Sequence, residues 1–170
     1  MRSIPYDVND SDLRKRFLRS VLFEALEPLR GDTRAGWGNM TPLQMVEHLA
    51  WGFGISTGRV LVECHLPEAK RERAKQFLYD RRPMPHDFMN PALVDGLPPL
   101  RHPGLGEARA TLREEVDRFL TQAPADPGPP HPIFGPLGLE EWERIHFKHC
   151  YHHLLQFGLI EEEGGDPALM

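Results

Sequence analysis

Across Ser11 to Leu29 the apolar residues Leu13, Phe17, Val21, Leu22 and Leu26 recur at the spacing of one face of an amphipathic helix. Asp10 or Ser11 can cap its start. Arg30 to Asn39 is rich in glycine and polar residues and breaks the period. Thr41-Pro42-Leu43-Gln44 then supplies a hydroxyl cap, a proline in the first helical position and a glutamine at the third. A second helix is predicted from Thr41 to about Leu61. Gly52, Gly54 and Gly58 inside it each cost up to ~1 kcal/mol against alanine, which points to close backbone packing or a pocket wall.

Glu68 to Phe77 reads as a short charged helix. Pro83, Pro85, Pro91, Pro98, Pro99 and Pro103 then exclude regular structure, and a long ordered connection of this kind commonly forms a lid or rim. Leu105 to Gln122 resumes the helical period through Ala108, Leu112, Val116 and Phe119. A second proline-rich connection, Ala123 to Pro136, leads to a last helix from near Leu139 to the Gly164-Gly165 pair or slightly before it. Four main helices and no strands predict an all-α fold: one antiparallel four-helix bundle spanning 1–170, with long proline-rich connections.

Composition narrows the function classes. A length of 170 residues suits one domain, and 40% hydrophobic with 26% charged residues suits an ordinary globular protein. The net charge is -5 and the arginines are scattered among acids, so no nucleic-acid footprint is expected. Cys64 and Cys150 form neither a disulfide framework nor a Cys-x-x-Cys motif. With no leader-like or membrane-length apolar run, a cytoplasmic protein acting on a small molecule is expected, with neither nucleic acid nor membrane as partner.

Of nine histidines, His146, His149, His152 and His153 fall in one segment. On a helix His149 and His153 stand about 40° apart and one turn apart, so both rings can reach one ion. His146 and His153 are two turns apart, roughly 10 Å, which is too far to share it. A third ligand must come from another helix, and His48 is the best candidate, because its helical face carries Met45, Trp51 and Ile55. His152 turns toward Lys148 and is read as solvent-facing or as support behind the ligands. His65, His86, His102 and His131 lie in or beside proline-rich connections and are expected at turns or on the surface, with His86 and His131 the two to follow. Asp87 could orient a ligand histidine from behind, Glu47 less readily. The cations Arg71, Arg73, Lys75, Arg81 and Arg82 read as a solvated face rather than an anion site. Cys150 reads as a packed thiol.

Met40-Thr41-Pro42-Leu43-Gln44-Met45 leading to His48, and His131-Pro132-Ile133-Phe134-Gly135-Pro136-Leu137 running into Glu141-Trp142 and 146–158, resemble the DinB/YfiT-like superfamily of four-helix-bundle metalloenzymes, within it a bacterial branch with no assigned reaction. The resemblance covers nearly the whole chain. It implies a divalent ion, with zinc or nickel foremost, on His48, His149 and His153. Some relatives are transferases or isomerases that use a low-molecular-weight thiol, but the resemblance carries over the site rather than a reaction. Three functional readings follow: a metal-dependent transferase or hydrolase, a metal- or small-molecule-binding stress-response protein without turnover, and a structural bundle that forms a homodimer.

Overall fold

The computed structural model describes residues 2–162. After β1 (Arg2–Ile4), helix α1 (Ser11–Arg16) continues through a π-helical turn (Phe17–Val21) into α2 (Leu22–Leu26). Asp10 caps α1, its carboxylate accepting the Leu13 N–H at 2.9 Å. The rod stops at Leu26 rather than Leu29. Glu27 still holds helical dihedrals, φ -54° and ψ -46°, but Pro28 has no N–H to continue the ladder.

Helix α3 (Pro42–Ser56) starts as the sequence predicts. Thr41 Oγ1 accepts the Gln44 N–H, and Gln44 Oε1 accepts the Thr41 N–H at 2.9 Å. The helix ends five residues before Leu61, because Gly58 takes φ +72° and the chain doubles back. The Arg59 and Val60 N–H groups then both bond to the Gly54 carbonyl. A Cβ on Gly54 would stand 2.9 Å from the Val60 side chain, so this return needs glycine there.

Helices α4 (Glu68–Lys75), α5 (Leu105–Thr121) and α6 (Leu139–Gln156) complete the helical set. Gly158, at φ +62°, turns the chain out of α6. The helix thus ends at Gln156, eight residues short of the expected Gly164-Gly165 pair, which itself lies outside the described residues. The expectation of no strands is corrected. β1 pairs in parallel with β4 (Ile160–Glu162), and β2 (Pro130–His131) pairs antiparallel with β3 (Gly135–Pro136). Segments of two or three residues are too short to show an alternating pattern, and β1–β4 joins opposite ends of the chain.

Side-chain pairs give the direction of each helix. His48 meets His149 while Ser56, two turns on, meets His146, so α3 and α6 run antiparallel. Arg109 bonds the Leu26 carbonyl and Arg113 covers Phe23, so α2 and α5 are also antiparallel. By contrast α1 and α6 run parallel, with Arg14 on Glu143 and Phe17 on Phe147. Likewise Phe53 meets Phe119 and the Ser56 carbonyl meets Gln122, so α3 and α5 are parallel. The expectation that every neighbour is antiparallel is thereby corrected. Parallel α3 and α5 require the chain to return the full length of the helices, and 57–104, with α4 inside it, makes that return.

The secondary structure is mostly helical, and no helix is long and apolar enough to cross a membrane. Phe17, Leu49, Phe53, Leu112, Phe119 and Phe147 form the centre of the core.

Candidate metal centre

Helix α6 is the axis of the site and is buried nearly all round. Three of its charged residues, Glu143, Arg144 and Lys148, are buried and paired. Arg14 Nε donates to Glu143 Oε1 at 2.8 Å, and Arg144 donates to Glu140 Oε1 at 2.8 Å. The Lys148 ammonium donates to the carbonyls of Phe77 and Arg82 and lies over the Phe77 ring. These contacts hold α6 against the N-terminal segment and the start of the long connection. The Arg14–Glu143 pair is buried on both sides, and a pair of that depth needs both partners present.

On this fixed helix His149 and His153 point toward His48 of α3. Their Nε2 atoms stand 3.1 Å apart, and His48 Nε2 stands 2.8 Å from His149 Nε2. The three residues' nearest ligand atoms all lie within 4.8 Å of one another. Two nitrogens at ~2.0–2.1 Å from a tetrahedral ion are about 3.3 Å apart, so this spacing is close to that of metal ligands.

The protons make the same point. Gln156 Nε2 donates to the Trp37 carbonyl at 2.9 Å, which turns Gln156 Oε1 toward His153 Nδ1 at 2.7 Å. His153 therefore carries its proton on Nδ1, and its Nε2 is a lone pair. A single proton on His149 Nε2 can satisfy one of its two nitrogen neighbours and not both. A cation among the three Nε2 atoms satisfies all of them. Burial holds His48 down to about 4 and His149 and His153 well below the usual imidazole range, with neighbouring histidines adding to the shift. All three rings are thus neutral near pH 7, as ligands must be. The His48 Nδ1 is buried without a hydrogen-bond partner among the described residues.

Two cavities flank the cluster. The larger, about 860 Å³, is floored by His149, Gly52 and Ile55, and both proline-rich connections contribute to its walls through Pro83, Pro85, Pro132 and Phe134. A Cβ on Gly52 would touch the His149 ring at 3.6 Å, so this glycine is part of the pocket wall. The smaller, about 250 Å³, opens onto His48 and is closed by residues of 97–102. Trp51 borders both and stacks on His48.

The remaining predicted residues separate into those the structure brings near and those it does not. His146 is a core imidazole: its Nε2 bonds Ser56 Oγ at 2.8 Å, and its ring lies between Phe53 and Trp142. His152 does not face solvent with Lys148. It is half-buried beside Trp37 and His86, whose rings stack at 3.7 Å. His131 is not a surface residue. It lines the larger cavity, its Nδ1 accepts the Ile133 N–H, and burial pushes it down to about 3.

Asp87 is exposed and orients no ligand. Gln156 takes that role, and its sequence signal was its place three residues after His153 on one helix. Glu47 instead accepts the backbone N–H groups of Arg101 and His102 and contacts His102 Nδ1 at 2.9 Å. It pins the wall of the smaller cavity. Cys150 is buried, and burial raises its thiol, in keeping with a packed role.

A family model described as a protein of unknown function (DUF1569) matches residues 81–158. The matched span carries α5, the β2–β3 pair and α6, hence His149 and His153 but not His48. No curated protein and no solved structure matches the chain. Over 81–158 the chain is similar to that family, and His48, His149 and His153 form a group that could hold a metal ion.

Proposed function

We propose that His48, His149 and His153 hold one divalent ion, zinc or nickel, through their Nε2 atoms, and that the protein is a metal-dependent transferase or hydrolase acting on a small molecule. The observation that carries this reading is the convergence of three neutral imidazole nitrogens that share too few protons to satisfy one another. An ion bound there supplies Lewis acidity and lowers the pKa of a bound water or low-molecular-weight thiol. The chain's own residues do the rest. Gln156 fixes the His153 tautomer, Gly52 leaves room beside His149, and the proline-rich connections form part of the cavity's wall. We further propose that the four long helical rods form a DinB/YfiT-type bundle, which is supported by the ligands' placement on α3 and α6.

A second reading, metal or small-molecule binding without turnover, draws on one observation. Among the described residues that line the larger cavity there is no Asp or Glu to act as general base.

Titration of zinc and nickel into stripped, untagged protein tests the site. Replacing His48, His149 or His153 by alanine should take the stoichiometry from about one toward zero, whereas His152→Ala should retain the ion. Stoichiometric metal in His149→Ala would show the ligand set to be wrong. A thiol-transfer and hydrolase screen on loaded wild type separates turnover from binding alone.

A further inference from the structure

The larger cavity has a charge pattern opposite to that of the chain. The protein carries a net charge of -5, yet the cavity is lined by Lys70, Arg73 and Arg82 and, among the described residues, by no carboxylate. Arg82 is committed to Asp80, at 2.6 Å. Lys70 and Arg73 enter no ion pair among the described residues.

Helix α4 produces the asymmetry. Lys70, Arg73, Ala74 and Phe77 follow the i, i+3, i+4, i+7 spacing of one helical face and continue into the turn after α4, and all four line the cavity. The acids of the same helix, Glu68 and Glu72, do not. The face is held in place from both sides. Arg71 Nε donates to the Leu66 carbonyl at 2.9 Å, and Lys75 reaches Glu141 of α6 at 3.7 Å. Across from the cations the walls are apolar, with Trp51, Ile55, Phe88 and Phe134. A volume of about 860 Å³ falls within the usual range for small-molecule sites.

We infer that this cavity binds an amphipathic organic anion, with an apolar body against Trp51, Phe77 and Phe134 and a carboxylate head at Lys70 and Arg73. An anion placed this way finds two cations without partners and no repelling carboxylate, while its body displaces water from the aromatic wall. A cation of the same shape meets only like charge. The inference deepens the proposed function by naming its substrate class, and it rests on that reading only in calling the bound anion a substrate.

Isothermal titration of metal-free and metal-loaded protein with octanoate, octan-1-ol and octylammonium compares one apolar body with three heads. Octanoate should bind about tenfold more tightly than octanol, since each exposed cation contributes modestly, and octylammonium should bind most weakly. Added salt should erode the octanoate advantage and leave octanol unchanged. The Lys70→Gln/Arg73→Gln variant, altered only at exposed positions, should bind octanoate and octanol alike with octanol affinity retained. Equal affinities in the wild type, or an octanoate preference that survives in the double variant, would overturn the inference. Metal content is measured on the same samples, so loss of the metal reading leaves this result standing, and the reverse also holds.

Discussion

Gln156 holds the Nδ1 of His153 at 2.7 Å while its own amide is tied to the Trp37 carbonyl, so the tautomer of a histidine in the cluster depends on a loop far away in sequence. Replacing Gln156 by leucine keeps the volume and removes the acceptor. His153 is then free to place its proton on Nε2, where it blocks the ion. Partners of this kind are typically worth about 10–100-fold in metal affinity. Zinc titration of Gln156→Leu should therefore show weaker binding at unchanged stoichiometry. Wild-type affinity in that variant would mean that Gln156 does not orient the ligand.

Buried neutral histidines make stability depend on pH in a definite sense. His48 is held down to about 4, His131 to about 3, and His146, His149 and His153 lie well below the usual range. In the unfolded chain these residues titrate near ~6.5. Below that pH the unfolded state takes up protons that the folded state refuses, so stability is complete above about 6.5 and falls as pH drops toward 4. Each such residue contributes a slope of about 1.4 kcal/mol per pH unit in that window. Urea melts of metal-free protein should show the midpoint falling steeply between pH 6.5 and 5.5. A flat midpoint across that interval contradicts the burial of these rings as neutral species.

His146 separates structure from chemistry. Its Nε2 bonds the buried Ser56 Oγ, and it is not one of the three histidines whose ligand atoms converge. Ser56→Ala leaves a buried imidazole nitrogen without a partner, which costs about 1–3 kcal/mol. The expected outcome is a lower melting temperature with unchanged metal affinity, read by calorimetry and titration on the same samples. Reduced affinity at unchanged stability would instead assign His146 to the site.

The sequence carried the cluster because a helix places positions four apart on one face and the capping box at Thr41 sets the phase of α3. With both phases known, His48 and the His149–His153 pair each border an apolar face. What it could not carry depends on loops and direction. Hydrophobic period has no sign, so parallel α1–α6 and α3–α5 look the same as antiparallel pairs until Phe17 meets Phe147 and Phe53 meets Phe119. Nor does helical period show the burial of Arg14, Arg144 and Lys148, whose partners Glu143, Asn9 and the Arg82 carbonyl lie on other segments. The Trp37–His86 stack joins two connections for which no pattern predicts a meeting.

Lys148 anchors the wall of the larger cavity and is not one of the three clustered histidines. Its ammonium, 1% exposed, donates to the Phe77 carbonyl, to the Arg82 carbonyl at 2.9 Å and to Asp80 Oδ1 at 3.4 Å. Those acceptors bracket the chain between α4 and the proline-rich connection, and Phe77 and Arg82 both line the cavity. Lys148→Met preserves the stem packed on Phe77 and strips the acceptors of their donor. Loss of a buried charged partner is typically worth about 3–5 kcal/mol when its counter-groups stay buried. Here Asp80 and the two carbonyls can turn toward solvent, so a smaller global loss is expected and the opening is local. Hydrogen exchange should accelerate over 77–85 while α3 and α6 stay protected, and zinc affinity should be retained. Uniform protection across the variant would show that this segment is held by its own turns rather than by Lys148.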